Sequence, residues 1–534
     1  MSIDPNNLPD DPSALKEMLF TLHAQNLRLE NAHNNLVNEN DSLRHQLADF
    51  KRMLFGRRSE KLTKEEMDQL FLFNEAEDGA DAKIPEEVKT EKITIPSHTR
   101  NKQGRKKLSE DIPRKEIIHD LTDEEKQCPC CGKARPCIGE EVTEELDIIP
   151  QQIFVNKHVR KKYGPCSCDE FLAEENSEVK TAKAPERFIP GSIATPGLIA
   201  YSVTSKFCDA LPFYRQARIF SRFGVDTSRA TLCNWSLLAA EKCSPLLNVL
   251  EQVLRESPVL RMDETTLQVL HEENRSASSK SYMWVSYGYG YELRPLLLYQ
   301  YHPTRSSDVP KKFLENYSGF VQTDGYNGYN FNDPAYKGII IHVGCLAHAR
   351  REFEKAYRAN KESKCAHTAL EYIRDIYKME CDLRKLKLSS NKFVEKRREQ
   401  MIPLLEKFHN WLGEQQKIIL PSCLSGEAVS YTLGQWNKII RFLDHHLLTP
   451  DNNKIENAIR PFVVGRKNWL FSNTPRGARS SACFYSLIES AKVNNLEPYY
   501  YLRYIFEKLP ECKNEEEIRG LLPDMLIPEM IKIF

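Results

Sequence analysis

The stretches VLRMDETTLQVL (259–270), SYMWVSYGYGY (281–291) and RPLLLYQYH (294–302) decide the architecture. Each is rich in β-branched and aromatic residues, and turn signals separate them, so each reads as a strand. A helical segment follows, SSDVPKKFLENY (306–317), then two further strand candidates, GFVQTDGYNGY (319–329) and GIIIHVGCL (338–346). Three strands, a helix and two more strands predict a mixed α/β sheet. Helical sequence flanks it. Residues 195–250 read as helices. Within them, LPFYRQARIFSRFGVDTSRATLCNW (211–235) has a Gly224 turn and an N-cap candidate at Thr227 or Ser228, the pattern of a helix-turn-helix or of an ordinary helical pair. Residues 346–447 are almost wholly helical, with charged runs such as DLRKLKLSSNKFVEKRREQ (382–400).

The chain has 534 residues, of which 41% are hydrophobic and 28% charged, ordinary values for a globular protein of about three or four structural units. Lys+Arg and Asp+Glu are both 75. A uniformly cationic surface is thereby excluded, but locally basic grooves are not. No apolar run reaches the roughly 18 residues needed to span a bilayer, and the polar start MSIDPNNLPDDP is not a signal peptide. A cytoplasmic location is expected, and the 15 cysteines read as thiols or metal ligands.

Outward toward the N-terminus, Leu15, Leu22, Leu29, Leu36 and Leu43 recur every seven residues within 13–55, with polar Asn26, His33 and Asn40 among the facing positions. That is the pattern of a parallel dimeric coiled coil, favoured over an amphipathic helix packed on its own domain because it runs for over four heptads. Residues 56–110 read as a linker with basic ends, Arg57 and Arg58 at one and Arg105, Lys106 and Lys107 at the other, around an acidic middle. Residues 128–168 are cysteine-rich.

The chemistry lies in the carboxylates. Asp263 closes VLRMD and Asp324 closes GFVQTD, so a strand end would present each rigidly at the sheet edge. Carboxylates that meet repel unless a hard cation such as Mg²⁺ neutralises them. In DNNKIENAIRPFVVGRKNWLF (451–471), Glu456 and Arg460 are four apart and share a helix face. From 460 to 479 there are Arg460, Arg466, Lys467, Arg476 and Arg479 with no Asp or Glu, which suits a phosphate-lined groove. Trp469 and Phe471 interleave with this track, where they could stack on exposed bases, but both read rather as buried core.

GRRSEK (56–61), GRKKL (104–108), CPCCG (128–132), SKFCDALPFYRQ (205–216), TDGYNGYN (323–330), GCLAHARREFE (344–354) and the 451–471 stretch occur in the order found in bacterial insertion-sequence transposases of the sixty-six family, the TnpC type. The resemblance runs from about residue 15 to about 505. It implies a DDE transposase with an RNase H-like core, a triad of Asp263, Asp324 and Glu456, and two Mg²⁺ or Mn²⁺ ions for in-line phosphoryl displacement. It also implies a structural Zn²⁺ held by Cys128, Cys131, Cys166 and Cys168, with Cys130 and Cys137 as competing thiols. Cys345 and His348 match a Cys-x-x-His motif of unassigned role. Arg460, Arg466, Lys467 and Arg105 to Lys107 are the implied DNA contacts.

The expected organisation is therefore a coiled coil (13–55), a linker (56–110), a zinc-binding domain (111–180), a helical DNA-binding region (181–250), the first part of the core (251–345), a helical insertion (346–447), the core helix with the glutamate (448–480) and a C-terminal helical region (481–534). The expected activity is binding of an element's terminal inverted repeats, cleavage and strand transfer, by a homodimer or higher oligomer near the nucleoid, with small accessory proteins of the same element as partners. The rivals are a metal-dependent nuclease without joining, an inactive DNA-binding regulator or scaffold, and a purely structural dimer.

Overall fold

The computed structural model describes residues 11–55, 152–163, 180–183, 187–326, 328–329, 331 and 339–531. Arg105, Lys106, Lys107, Cys128, Cys131, Cys166 and Cys168 lie outside the described residues. By contacts the chain divides into one unit of residues 1–82 and 160–534 and a second of 83–159. Of the second unit only 152–159 are described, without regular structure.

The first unit begins with α1 (Pro12–Phe55). Gly and Pro are absent from its interior, which allows an uninterrupted helix. It touches the helices α7 and α10 defined below, and leaves Leu19, Phe20, Leu27, Leu29 and Leu36 exposed. A short antiparallel pair, β1 (Lys162–Tyr163) and β2 (Lys180–Thr181), follows. Four helices come next: α2 (Pro196–Phe207), α3 (Phe213–Arg222), α4 (Arg229–Lys242) and α5 (Ser244–Arg255). Between α3 and α4 the backbone turns at Gly224, whose φ of +78° a side chain would disfavour. Of the two N-cap candidates, Ser228 is the cap, its hydroxyl accepting from Thr231 N at 3.0 Å.

The sheet has five strands: β3 (Val259–Gln268), β4 (Lys280–Tyr289), β5 (Pro295–His302), β6 (Gly319–Gln322) and β7 (Ile340–Val343), with α6 (Asp308–Phe313) between β5 and β6. The spatial order is β5-β4-β3-β6-β7. The first three are antiparallel neighbours, and β6 and β7 add in parallel beside β3. Gly288 in β4 lets α5 lie against the sheet, since a Cβ there would come within 2.8 Å of Leu254 and Leu260.

Four helices form a bundle after β7: α7 (Leu346–Ala359), α8 (Lys364–Lys385), α9 (Ser390–Ile418) and α10 (Leu424–Ile439). In α9 the buried stripe is Phe393, Arg397, Met401, Leu405, Phe408 and Leu412, spaced three or four apart. Its one cation, Arg397, meets Glu380 of α8 at 2.7 Å.

The chain then returns to the sheet as α11 (Asn453–Trp469), α12 (Pro475–Val493) and α13 (Pro498–Lys508), followed by the short helices α14 (Glu515–Arg519) and α15 (Pro528–Ile531). Helix α12 covers the free edge of β5. Ser490 and Ser486 accept from Leu297 N and Tyr299 N at 2.8 Å, and Asn494 donates to Pro295 O at 2.7 Å. Four helical residues rise about 6 Å and two strand residues about 6.8 Å. Side chains at i, i+4 and i+8 can therefore serve alternate strand residues, and the helix supplies the hydrogen bonds a sixth strand would have made.

Candidate active site

In the stretch shared by β3 and β6, each residue of β3 faces one 61 positions later: Val259 faces Phe320, Leu260 faces Val321 and Arg261 faces Gln322. Asp263 and Asp324 are separated by the same 61 residues. The parallel register thus brings both to the same end of the β3–β6 pair, each two residues beyond its last paired position. Contrary to the sequence expectation, Asp263 is not at a strand end. β4 keeps pairing with β3 as far as Lys280 opposite Gln268, and only the pairing on the β6 side stops at Arg261. Asp263 is therefore clamped on one edge and open on the other.

Glu456 sits in the first turn of α11. The loop before it is tied to β6 and α7. Gln322 Nε2 donates to Thr449 O at 2.8 Å, Leu346 N to Pro450 O at 2.9 Å, and Asn452 N to Cys345 Sγ at 3.2 Å. Asp451 accepts from both Asn453 N and Asn453 Nδ2 at 3.1 Å. The Glu456 carboxylate lies 3.7 Å from Arg351 of α7.

The electrostatics join the three acids. Burial, then Glu264, Asp324 and Glu456, push the Asp263 carboxyl well above the usual range, against a backbone hydrogen bond from Glu264 N at 2.8 Å. Burial also raises Glu456; Arg351 and Arg460 oppose the rise, while Asp451 and Asp324 add to it. Asp324 accepts from Tyr326 N at 3.0 Å, which fixes its loop. Glu264 carries its own partners: Arg305 pairs with it, Tyr329 donates to it at 2.8 Å, and the Arg305 guanidinium lies 3.6 Å above the Tyr326 ring.

Cys345 is buried and its thiol is pushed up by burial and by Asp451 and Glu456. Its contact with Asn452 N makes it a fastener of the loop that delivers Glu456. Burial and Arg351 lower His348, whose Nδ1 is buried without a hydrogen-bond partner. Further along α11, Arg466 Nη1 donates to Thr266 Oγ1 of β3 at 3.2 Å, and Lys467 is exposed. Trp469 packs edge-on against Phe462 with ring centroids 5.6 Å apart. Phe471 departs from the expectation of a core residue, because it is 41% exposed.

The donor set suits a hard divalent cation: carboxylate oxygens, one of them buried and destabilised by its neighbours, so that a cation would offset their repulsion. Among the described residues no group of three or more His, Cys, Asp or Glu side chains is drawn close enough to hold a metal ion by itself.

A family model described as the transposase IS66 family matches residues 191–480, more than half of the chain and the whole of this site. The chain belongs to the IS66 family of transposases. Three companion models of the family match beside it: a region named for transposase C of IS166 (42–117), the zinc-finger binding domain of transposase IS66 (125–169), which contains all four predicted thiolates, and the IS66 C-terminal element (486–523). The family match implies DNA as partner and divalent metal and zinc as ligands. Among relatives, the uncharacterised protein y4qI of Sinorhizobium fredii (strain NBRC 101917 / NGR234) is 28% identical, covering 98% of this chain and 99% of its own length. From the same organism, the uncharacterised protein y4jD is 29% identical over 78% of this chain and 81% of its own length. Among the described residues no helix is long and apolar enough to cross a membrane.

Sequence reasoning missed Glu264, Arg305 and Arg351, while Asn452, one of the N-cap candidates 451–453 of the helix with Glu456, is its N-cap. Glu264 and Arg305 are 41 residues apart and meet only because β3 and the segment after β5 come together in the fold. No short spacing announces such a pair.

Proposed function

We propose that the chain is an active DDE-type transposase that binds the terminal inverted repeats of its element, cleaves there and joins the freed ends to target DNA. The observation that supports this reading is the β3–β6 register, which brings Asp263 and Asp324 to the same end of the strand pair, with Glu456 in the first turn of α11, a helix packed on β3. The sheet order, three antiparallel strands followed by two parallel ones beside β3, supports an RNase H-like core. The match of a zinc-finger model and the exposed apolar stripe of α1 support end recognition by a zinc-bearing, dimerising N-terminal region. A cytoplasmic, nucleoid-bound oligomer with accessory proteins of the same element is the setting this implies.

Asp263, Asp324 and Glu456 would hold Mg²⁺ or Mn²⁺, which when bound activates a water or 3′-hydroxyl and stabilises the leaving oxygen. The chain's own part is positioning. The loop 449–452 fixes where Glu456 projects, and Arg351, 3.7 Å from its carboxylate, opposes the rise that burial imposes on it. Arg305 and Tyr329 hold Glu264. Arg460, Arg466 and Lys467 line the approach as phosphate contacts. Cys128, Cys131, Cys166 and Cys168 are the proposed zinc ligands, and Arg105, Lys106 and Lys107 further DNA contacts.

The test is incubation of the full chain with terminal duplexes of the element and Mg²⁺ or Mn²⁺, scoring cleavage and joining. Wild type should do both, and Asp263→Asn, Asp324→Asn and Glu456→Gln should do neither while still binding DNA. Cleavage without joining would favour a nuclease. Wild-type inactivity with retained binding would favour a regulator.

A further inference from the structure

Helix α11 ends in a strained turn. Leu470 has φ +64° and ψ −54°, and Phe471 N donates to Trp469 O at 2.8 Å. These are the marks of a three-residue γ-turn of the hand that an L side chain disfavours. The turn is clamped from both sides. Leu470 N donates to Arg466 O, while beyond the turn Ser472 N donates to Gln268 O and Leu270 N to Ser472 O, both at 3.0 Å. The bridge between Val269 and Ser472 thus ties the segment to the far end of β3.

The strain keeps two apolar side chains in water. Leu470 is 64% exposed and Phe471 41%, while their neighbour Trp469 turns inward onto Phe462. Arg466 and Lys467 lie one turn back on α11, and residues 460–479 contain no acid. An exposed apolar pair beside cations, on an element leading from a carboxylate face, matches the chemistry of a nucleic-acid duplex: phosphates for the cations, a base step for the apolar tip.

The reach follows from the two elements. Leu470 is 14 residues from Glu456 along α11, about 21 Å at 1.5 Å per residue. Val269 is six residues from Asp263 along β3, about 20 Å. Both paths correspond to about six base steps of duplex at 3.4 Å each.

We propose that Leu470 and Phe471 form an apolar wedge that enters a base step of duplex DNA about six base pairs from the cleaved phosphate, unstacking it, with Arg466 and Lys467 on the adjoining backbone. The wedge rests on the transposase reading for the location of the cleaved phosphate, but its unstacking activity can be measured without cleavage.

The experiment uses the full chain and terminal duplexes of the element carrying the fluorescent base 2-aminopurine at successive positions, in Ca²⁺. Wild type should raise the fluorescence at one step near the sixth position. The double variant Leu470→Gly with Phe471→Ser removes both side chains, and glycine suits the positive φ, so the fold should tolerate it. It should lose the signal while DNA affinity changes by less than about threefold. In Mg²⁺ its cleavage should fall by about tenfold or more, and an abasic nucleotide at that step, already unstacked, should restore it. Glu456→Gln should keep the signal and lose cleavage. If Glu456→Gln cleaved like wild type while the double variant lost the signal, the wedge would stand and the carboxylate chemistry would fall. No enhancement in wild type, or equal enhancement in the double variant, overturns the wedge. So does a changed oligomeric state with base stacking untouched, which would assign the patch to a protein partner.

Discussion

Replacing Arg397 by Met tests whether the helical bundle anchors the loop that delivers Glu456. Arg397 is wholly buried and makes four hydrogen bonds: Nη1 to Phe442 O at 2.5 Å and His445 O at 3.1 Å, Nη2 to Glu380 Oε1 at 2.7 Å and Leu448 O at 3.0 Å. Burial lowers its pKa to about 10, against the pull of Glu380. Arg384 donates to the same carboxylate at 2.9 Å and to Leu448 O at 2.7 Å, and Arg261 donates to Leu447 O at 2.7 Å. Three arginines from three elements therefore grip the carbonyls of 442–448, immediately before the loop 449–452. In Arg397→Met, Arg384 still neutralises Glu380 and still serves Leu448 O, but Phe442 O and His445 O lose this donor. Removing one partner of a buried pair costs about 3–5 kcal/mol, and the surviving Arg384 puts the expectation at the lower end, about 3 kcal/mol. Arg397→Lys keeps the charge but not the fork, and should cost about half as much. The assay is urea unfolding followed by tryptophan fluorescence, since Trp411 and Trp436 pack on Phe408 inside the bundle. A loss below about 1 kcal/mol for Met, or a Lys variant as stable as wild type, would refute the account of the network as a clamp.

Ser486→Ala and Ser490→Ala each strand a buried N–H on β5, of Tyr299 and Leu297 respectively, and each should cost about 1–3 kcal/mol in thermal unfolding. His342 has a folded pKa of about 3 against an ordinary 6.5, chiefly through burial. The unfolded chain therefore binds the extra proton between those values, so its contribution is intact above pH 6.5 and drains away as pH falls toward 3. His342→Gln should flatten the acid side of a melting-temperature profile by up to about 1.4 kcal/mol per pH unit in that window. For Asp263 the sign is opposite: its raised pKa means that folding favours the protonated form, and that advantage is lost as pH rises through the folded value. Asp263→Asn mimics the protonated form, so without divalent metal its melting temperature should exceed that of wild type near neutral pH, and added Mg²⁺ or Mn²⁺ should raise only the wild type's.

The parts of this protein that were legible in the sequence are those where local pattern and tertiary structure agree. Strand composition around 259–302 gave the antiparallel half of the sheet, and the spacing of the two aspartates turned out to be the register of a parallel pair. The illegible parts are long-range contacts that carry no periodic mark. DLRKLKLSSNKFVEKRREQ reads only as a charged helical run, and nothing in it marks Arg397 as one of the most deeply buried side chains, whose guanidinium fork satisfies carbonyls that no apolar residue could. Phe471 reads as core and is exposed, because a strained turn held by β3 outweighs the burial of one ring. Cys345 sits in a motif whose role the sequence leaves unassigned, and its sulfur receives a backbone N–H from Asn452. In each case the deciding partner lies more than forty residues away in sequence. These same distant partners hold the acidic face in place. A site built from mutually repelling carboxylates would relax apart if its loops were free. The arginine clamp on 442–448, the thiol at Asn452 and the β-pairing behind Asp263 supply the rigidity that lets it persist before any cation arrives.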